Sequence, residues 1–270
     1  MVAIPELIRA AVSALASFQS LWSSNFDGPA GQSVDPAQWN IITGVHYNNE
    51  LQDYTTSPDN LRLSGSGTLQ IIPRKSPSGA WTSARIESVA SYTPAPNKVT
   101  RFSSLLRFGD APQEQQQGIW PAFWMLGESS RHGTPWPECG ELDIMERING
   151  EKKGHGTPHC GPGDVPCGMM TKEVPLEDVG GWHFWVVEVD RRSPDWKEQA
   201  VVWYLDGKEY NRMTGERVGD EGIWKAIAQS PMYFVVNVAV GGNWPGPPNE
   251  QTVDGEKTML EVKSITVTEA

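Results

Sequence analysis

Three acidic residues in the middle of the chain have the types and the spacing for acid–base or nucleophilic chemistry. Glu141, Asp143 and Glu146 form the pattern E-x-D-x-x-E, and the residues between them are apolar. Because successive side chains of a β-strand point to opposite faces, Glu141 and Asp143 would share a face and Glu146 would point away. A β-bulge between Asp143 and Glu146 would add one residue and return Glu146 to that face. The sequence therefore predicts three carboxyl groups in one cleft, with the two glutamates flanking a single bond.

Two other interpretations of the acidic pattern explain less of the sequence. A solvent-exposed acidic strand edge would account for the charges, but neither for the tryptophans at 120 and 124 nor for the bulge spacing. A calcium site is disfavoured because the neighbouring residues are hydrophobic and the pattern D-x-D-x-D-G is missing. We therefore expect no metal at this position, and the chemistry of paired carboxyl groups requires no cofactor.

The acidic pattern belongs to a longer segment, residues 118–149, with the sequence GIWPAFWMLGESSRHGTPWPECGELDIMERIN. This segment resembles the catalytic signature of glycoside hydrolase family 16. The closest resemblance is to its laminarinase-like members, in which G-x-W-P-A-F-W-M-L precedes G-E-[IL]-D-[IL]-M-E. The resemblance implies an all-β jelly-roll sandwich of two antiparallel sheets with a concave substrate cleft. Further blocks similar to the family extend from about residue 21 to the C-terminus.

The resemblance also implies a reaction, the retaining endo-hydrolysis of a β-1,3-glucan or a mixed β-1,3/1,4-glucan. Glu141 would be the ionised nucleophile that forms a glycosyl-enzyme intermediate, and Glu146 would be the general acid that later activates water. Asp143 would tune both glutamates through its charge and a hydrogen bond to Glu141. Retaining enzymes place the two carboxyl groups about 5–5.5 Å apart. The pKa of Glu146 must be raised for this residue to hold its proton.

Two tryptophans before the acidic pattern are candidates for stacking on sugar rings. Trp120 and Trp124 are four residues apart and would share one strand face. Core packing is the alternative for at least one of them. Pro121 between them predicts an edge strand or irregular pairing, because proline lacks the backbone N–H.

Four further binding candidates come from the resemblance. Asn49 lies in N-N-E-L-Q and would reach sugar hydroxyls, unless it is a turn residue that bonds its own backbone. Arg85 lies in T-S-A-R-I and would bind a sugar or lower the pKa of a nearby glutamate, with a surface ion pair as the alternative. Trp244 follows Gly-Gly and would form a sugar platform on a loop.

The fourth candidate is a histidine after the acidic segment. His159 matches the histidine of the family's T-L-H strand ending, although Pro158 replaces the usual apolar residue. It could donate a hydrogen bond to Glu141 or to sugar, or it could be a structural imidazole. His155 has no matching position, and no role is assigned to it.

Composition limits the class of partner. The chain has 270 residues and a formal net charge of −11 at pH 7, which disfavours a sequence-independent grip on nucleic-acid phosphates. Gly 27, Pro 21 and Trp 12 are typical of a turn-rich β protein with many flat apolar rings. We expect a polysaccharide substrate, a single catalytic domain over residues 21–270, no membrane span and a monomer.

The cysteines and the N-terminal segment bear on the compartment. Cys160 and Cys167 enclose the short loop G-P-G-D-V-P and are the expected disulfide in an oxidising compartment, which leaves Cys139 as a buried free thiol. Pairing of Cys139 with either of them is the alternative. Residues 1–20 are interpreted as a signal-like segment or as an amphipathic helix docked on the body. We expect an extracellular or cell-wall-associated protein.

The substrate and the reaction outcome have alternatives at this level. The same fold could act on β-1,3-galactan, because its linkage geometry is related, or could transfer the glycosyl group to a second sugar. A non-catalytic carbohydrate-binding lectin would use the tryptophans, but it would have no use for two glutamates around one aspartate. The loops at residues 129–137 and 160–175 are expected to decide which polysaccharide fits.

Overall fold

The computed structural model describes residues 18–270. The two interpretations of residues 1–20 therefore fall almost entirely outside the described residues. Within the described chain the strands are β1 (Gln19–Ser24), β2 (Trp39–Ile41), β3 (Gln52–Tyr54), β4 (Leu61–Leu63), β5 (Leu69–Ile71), β6 (Arg74–Lys75), β7 (Trp81–Ser83), β8 (Arg85–Ser88), β9 (Val99–Phe108), β10 (Ile119–Gly127), β11 (Glu141–Glu146), β12 (Lys153–His159), β13 (Lys172–Pro175), β14 (His183–Asp190), β15 (Ala200–Leu205), β16 (Lys208–Thr214), β17 (Met232–Val240) and β18 (Leu260–Glu269). The helices of that part of the chain are α1 (Gly215–Val218), α2 (Glu221–Ala228) and the 3-10 turns Gln113–Gln115, Glu128–His132, Pro162–Asp164, Cys167–Met170, Trp196–Glu198 and Glu256–Thr258.

Most strands belong to two large antiparallel sheets. One sheet has seven strands in the order β13-β12-β11-β10-β17-β8-β2. The other has eight, in the order β16-β15-β14-β9-β18-β5-β4, with β1 paired to β18. A small third sheet, β3-β7-β6, joins β3 and β7 in parallel. The predicted all-β jelly-roll sandwich is confirmed.

The core lies between the two large sheets and follows the alternation of the strands. On β17, Phe234, Val236, Val238 and Val240 are fully buried in the main core cluster, as predicted. The intervening side chains of β17 therefore point to the opposite face of the seven-stranded sheet. We call that outer face, which also carries the acidic residues of β11, the site face.

Two elements begin or pair differently from the sequence prediction. β1 begins at Gln19, so the sandwich starts before residue 21. Pro121 lies on β10, which pairs with neighbours on both sides, so the edge-strand alternative is wrong, but the predicted irregular pairing is confirmed by the register shift between Phe123 and Trp124. The pairing of β10 with β11 starts one residue later, at Ala122, and the carbonyl oxygen of Pro121 accepts a hydrogen bond from Arg147 beyond the end of β11. The missing proline N–H therefore falls where that ladder has already ended.

The hairpin between β15 and β16 is confirmed. Its two loop residues, Asp206 and Gly207, both have positive φ, at 51° and 83°. Such values fit a two-residue turn whose twist matches that of the flanking strands. A search for helices long and apolar enough to cross a membrane, made over residues 18–270, finds none.

Candidate active site

The predicted bulge lies at Ile144. Along β10 and β11, Phe123 pairs with Met145 and the next residue, Trp124, pairs with Asp143, so Ile144 is the extra residue. The register with β12 on the other side shifts over the same stretch, between Asp143 and Glu146. The pairing of β11 with both of its neighbours, β10 and β12, therefore shows the bulge that the E-x-D-x-x-E spacing predicts.

The bulge brings the three carboxyl groups to one face. They are paired with alternate residues of β10: Glu141 with Leu126, Asp143 with Trp124 and Glu146 with Ala122. Alternate residues of one strand share a face, so the three carboxyl groups do so as well. Asp143 and Glu146 are 3% and 9% exposed, respectively, and the Glu141 side chain is 13% exposed. The predicted alignment of the trio is confirmed.

Side chains from the eight-stranded sheet support the bulge from behind. The indole nitrogen of Trp203 donates to the carbonyl oxygen of Asp143 at 2.8 Å, and the Tyr210 hydroxyl donates to that of Ile144 at 3.3 Å. Gly156 on β12 makes this approach possible, because a Cβ there would lie 2.5 Å from the Tyr210 oxygen and 2.6 Å from Trp203. Backbone oxygens that the bulge turns inward thus find partners in the core.

We expect Trp203→Phe to destabilise the fold and to lower activity. The substitution leaves the buried carbonyl oxygen of Asp143 without its donor, which costs about 1–3 kcal/mol. Trp185→Phe is the matched control, because Trp185 is equally buried and its indole nitrogen has no hydrogen-bond partner among the described residues. Urea unfolding should show the larger loss of unfolding free energy for Trp203→Phe. Equal losses in the two variants would contradict the supporting role of Trp203.

His159 lies next to the acidic trio, but its main partner differs from the prediction. Its Nε2 is 3.3 Å from an oxygen of Asp143 and 3.9 Å from one of Glu141. Its Nδ1 is 2.6 Å from the carboxylate of Asp164, in the loop after β12. β12 pairs His159 with Glu141 across the strands, but the ring lies closer to Asp143, so an ion pair with Asp143 at 3.3 Å takes the place of the hydrogen bond to Glu141 considered from the sequence.

Glu141 and Glu146 differ in the groups that shift their pKa values. Burial, followed by the charge of Asp143, raises the pKa of Glu141 to about 8, while the charges of His159 and Arg85 lower it. Burial and then Asp143 also raise the pKa of Glu146 well above its ordinary value. Glu146 accepts a hydrogen bond from the indole of Trp120 at 2.8 Å, whereas an oxygen of Glu141 lies 3.9 Å from Nε2 of His159. The two glutamates therefore differ in the groups that contact their carboxyl oxygens.

The charge of His159 is part of this balance. Burial alone would lower the pKa of His159, but the hydrogen bond and charge of Asp143, followed by Glu141 and Asp164, outweigh it and raise the pKa to about 10. A protonated imidazole at this position stabilises the ionised form of Glu141. It therefore offsets part of the effect of burial on the pKa of that residue.

We expect Asp143→Asn to move the whole pH profile of activity to lower pH. The charge of Asp143 raises the pKa of both Glu141 and Glu146. Without it, Glu141 ionises at lower pH, which moves the acid limb down, and Glu146 loses its proton at lower pH, which moves the basic limb down. The accompanying fall in the pKa of His159 opposes the shift of Glu141, but its effect on that residue is smaller than that of Asp143. A kcat/KM profile whose limbs stay in place would contradict the assignment.

The three tryptophan candidates lie on the site face or beside it. Trp120 and Trp124 are half-buried and do not belong to the core clusters of the described chain. Trp124 donates to the side-chain oxygen of Asn237 at 2.8 Å. Trp244 is 42% exposed and meets Trp120 edge to face with ring centroids 5.5 Å apart. The rings of Trp120, Trp124 and Trp244 thus form an aromatic wall beside Glu146.

The two remaining candidates have partners within the protein. Arg85 is buried, binds Glu87 at 2.8 Å and lies 4.9 Å above the Trp124 ring, so the surface ion pair considered from sequence is excluded. Asn49 is exposed in a turn with φ 57°, and its amide donates to Asn243 at 2.7 Å. The turn interpretation of Asn49 fits this conformation, and its side chain stays near the loop of Trp244.

Several residues of the site were not found from the sequence. Trp136 is 55% exposed, lies 5.5 Å from the His159 ring between centroids and is close enough to Glu141 to lower the pKa of that carboxyl. His155, to which no role was assigned, pairs with Glu146 across the strands and packs against Trp244 at 4.8 Å. Asp164 also belongs to this group. The P-W-P sequence beside the acidic segment was the available signal for Trp136, whereas nothing local marks Asp164.

One group of side chains has the spacing of a cation site. Glu141, Asp143 and His159 place ligand atoms within 4.8 Å of one another. Both nitrogens of His159 face carboxylates, so its protonated form already supplies the positive charge between them. A metal would have to displace that proton from a group with a pKa of about 10. The donor set therefore fits an acid–base cluster better than a metal centre.

The cysteine predictions are confirmed. Cys160 and Cys167 form a disulfide at the base of the loop that carries Asp164. Cys139 is free and buried, and burial, followed by the charge of Glu141, raises the pKa of its thiol to about 11. A thiol held in its neutral form is a poor nucleophile, which leaves the carboxyl groups as the reactive groups here.

Two glutamates aligned by a bulge on a β-sheet, with an aspartate between them and aromatic rings beside them, define a carbohydrate-cleaving enzyme. Residues 73–179 match the family described as "XgeA-like, catalytic GH16 domain". A β-glucanase of Rhodothermus marinus is 32% identical over 253 residues, covering 88% of this chain and 80% of that protein. The chain belongs to glycoside hydrolase family 16.

Two further comparisons agree on the fold. The crystal structure of an endo-1,3-β-glucanase from Streptomyces sioyaensis superposes with a TM-score of 0.86 at 30% identity, over 93% of this chain and 96% of that one. The glucan endo-1,3-β-glucosidase A1 of Niallia circulans is 28% identical over 286 residues, covering 91% of this chain. The chain spans 37% of the length of that relative.

Proposed function

We propose that this glycoside hydrolase cleaves β-1,3-glucan or mixed β-1,3/1,4-glucan internally and with retention of configuration. The observation that carries the proposal is the bulge at Ile144, which aligns Glu141, Asp143 and Glu146 on one face. The choice of glucan is supported by the names of the similar proteins, a β-glucanase and two endo-1,3-β-glucan hydrolases.

The charges around the two glutamates support their proposed roles. Glu141, which has the positive charge of His159 nearby, attacks the anomeric carbon, and the C–O bond to the leaving sugar breaks as Glu146 protonates that oxygen. Glu146 then takes a proton from water, which attacks the anomeric carbon and releases Glu141. Asp143 and His159 form an ion pair at 3.3 Å beside the glutamates, and their opposite charges act on both carboxyl groups.

The aromatic wall beside Glu146 and the exposed Trp136 near Glu141 are proposed to stack on sugar rings at the two ends of the site. Aromatic rings bind the C–H faces of pyranoses through apolar contact. Trp120, Trp124 and Trp244 form the first group. Asn49 would add hydrogen bonds to hydroxyl groups, whereas both ring nitrogens of His159 already face carboxylates of the protein. Arg85 would act through its position over the Trp124 ring.

Digestion of a panel of polysaccharides tests the proposal. Laminarin, lichenan and β-galactan are each incubated with the protein, and products are sized over time, with Glu141→Gln as the blank for contaminating activities. Early release of mid-sized fragments from laminarin or lichenan is the expected result. Cleavage of galactan alone would redirect the substrate assignment, and products longer than the substrate would indicate transglycosylation. Binding without new reducing ends would favour a lectin.

We also propose that the protein acts outside the cytoplasm, as a monomer. The Cys160–Cys167 disulfide supports an oxidising compartment, because such bonds persist mainly in secreted proteins. Fractionation of the native host tests the compartment, and light scattering during gel filtration tests the mass. Recovery of the active protein only from the cytoplasm, or a mass twice that of the chain, would overturn these two points.

A further inference from the structure

We propose that Asp164 is a positioning residue of the catalytic site, held by the disulfide-closed loop after β12 so that it orients the His159 ring toward Asp143. The inference deepens the proposed function, since its kinetic readout depends on glycan hydrolysis. It stands on the geometry of a loop that the fold alone does not require.

The two ring nitrogens of His159 face two carboxylates. Nδ1 is 2.6 Å from Asp164 and Nε2 is 3.3 Å from Asp143. A neutral imidazole carries one N–H and could donate to only one of them, while its other nitrogen would face an ionised oxygen. With both carboxylates ionised, the arrangement therefore requires the imidazolium form, which donates to both.

The loop fixes Asp164 from several directions. One carboxylate oxygen of Asp164 receives the Nδ1–H of His159, and the other accepts the backbone N–H of Cys160 at 3.2 Å. Cys160 and Cys167 are fully buried and joined by the disulfide, so both ends of the loop are anchored in the core. Gly168 leaves the space that the carboxylate fills, because a Cβ at that position would collide with it.

The charged groups around His159 show how Asp164 can affect the ionisation of Glu141. Glu141 and Asp143 face the ring from β11 and Asp164 faces it from the loop, while Arg85 on β8 acts on Glu141 from the other side. Asp164 is the member of this group that lies outside the acidic trio and acts on it through the ring. Its removal would release the proton of His159 at lower pH and take a positive charge away from Glu141. Glu141 would then ionise at higher pH, which raises the acid limb of activity.

The test compares Asp164→Asn with Gly168→Ala. Asparagine removes the charge but tolerates the positive φ of 62° at this position. Alanine at 168 removes no titratable group and displaces the Asp164 carboxylate sterically. Glu177→Gln, at an exposed position of the following segment, is the charge-matched control. Imidazole resonances of ¹⁵N-labelled protein are titrated by NMR, with His159→Gln to identify the signal, and kcat and KM are measured across pH.

In both test variants we expect the pKa of His159 to fall by about 1–3 pH units, because a carboxylate next to the ring is lost or moved. The acid limb of kcat should move to higher pH with little change in KM, and Glu177→Gln should match wild type. An unchanged His159 titration in both variants, with thermal unfolding showing them folded, would overturn the role of Asp164. If one of the two variants does not fold, the His159 titration of the other variant is the test of the role of Asp164.

The inference and the proposed function fail in different ways. A protein that hydrolyses no glycan would defeat the proposed function, yet the NMR titration would still report whether Asp164 holds His159. Conversely, an active enzyme whose pH profile and His159 resonance ignore both substitutions would leave the function standing and reject the positioning role. A fall in thermal stability alone, with both readouts as in wild type, would assign the loop a structural role only.

Discussion

Replacing Glu141 by Gln should abolish hydrolysis while leaving the fold intact. The amide keeps the size of the side chain but cannot form the glycosyl ester, and loss of a nucleophile in enzymes of this kind of chemistry reduces kcat by on the order of 10⁴–10⁶. The Glu141 side chain is 13% exposed and lies on the site face instead of in the core between the sheets, so a glutamine of the same size should leave the core packing unchanged. Reducing-end assays on laminarin and circular dichroism measure the two halves of the prediction.

The control for this variant is Glu138→Gln, three residues earlier and outside β11. It changes the net charge equally, and its activity should stay near that of wild type. Near-normal turnover in Glu141→Gln would remove Glu141 as the nucleophile.

Added azide should restore release of an activated aryl leaving group in Glu141→Ala and give a glycosyl azide of inverted configuration.

Replacing Glu146 by Ala should have the second-largest effect, and its size should depend on the leaving group. With a polysaccharide the leaving oxygen needs a proton, so kcat should fall by roughly 10²–10⁴. With a dinitrophenyl glycoside the first step needs no acid, and the glycosyl-enzyme should accumulate because water lacks its base. A burst of dinitrophenol, followed by a slow phase that azide accelerates, is the expected time course.

The stereochemistry of that azide product separates the two glutamates. Azide in Glu146→Ala attacks the intermediate on Glu141 and should give a glycosyl azide of retained configuration. An equal loss in the rate of the first, bond-breaking step with natural and activated substrates, measured as kcat/KM, would contradict the role of Glu146 as acid, because removal of an acid cannot slow a step that needs no proton. Trp120→Phe, which removes the 2.8 Å hydrogen bond to Glu146 but no carboxyl group, is a milder comparison.

The alignment of the three carboxyl groups could be predicted because side chains alternate strictly between the two faces of a β-strand. The E-x-D-x-x-E pattern is out of phase for a regular strand, and only an extra residue restores it, so the bulge at Ile144 was readable from spacing. The tight hairpin at Asp206-Gly207 and the disulfide around a short loop were readable for the same reason, since each is a local relation between residues close in sequence.

Relations between distant segments were not readable. The donors behind the bulge, Trp203 and Tyr210, come from strands about 60 residues further along the chain. For Pro121 the sequence left an edge strand and irregular pairing open, and it could not choose between them because the choice depends on where β11 ends beside the proline. The partner of His159 was assigned to Glu141, which is its neighbour across the strands, but the ring lies nearer to Asp143, and strand register does not fix the direction in which a side chain leans.

Asp164 illustrates the same limit within a loop. Its sequence, G-P-G-D-V-P, indicates a turn, and the positive φ values of Gly161, Gly163 and Asp164 fit that interpretation. The direction of the carboxylate depends on the disulfide and on the space left by Gly168, neither of which a local pattern describes. Trp136 was overlooked as a binding residue because the loop that carries it could only be assigned a general role in specificity.

Covalent trapping tests the account most directly. Incubation with a 2-deoxy-2-fluoro glucoside or laminaribioside bearing a dinitrophenyl leaving group should add one glycosyl mass to the protein, and peptide mapping should place it on the carboxylate of Glu141. The same label should form in Glu146→Ala and be absent in Glu141→Gln. A label on Asp143 or Glu146, or hydrolysis that releases the inverted anomer with no adduct at all, would contradict the alignment of nucleophile and acid derived from the bulge.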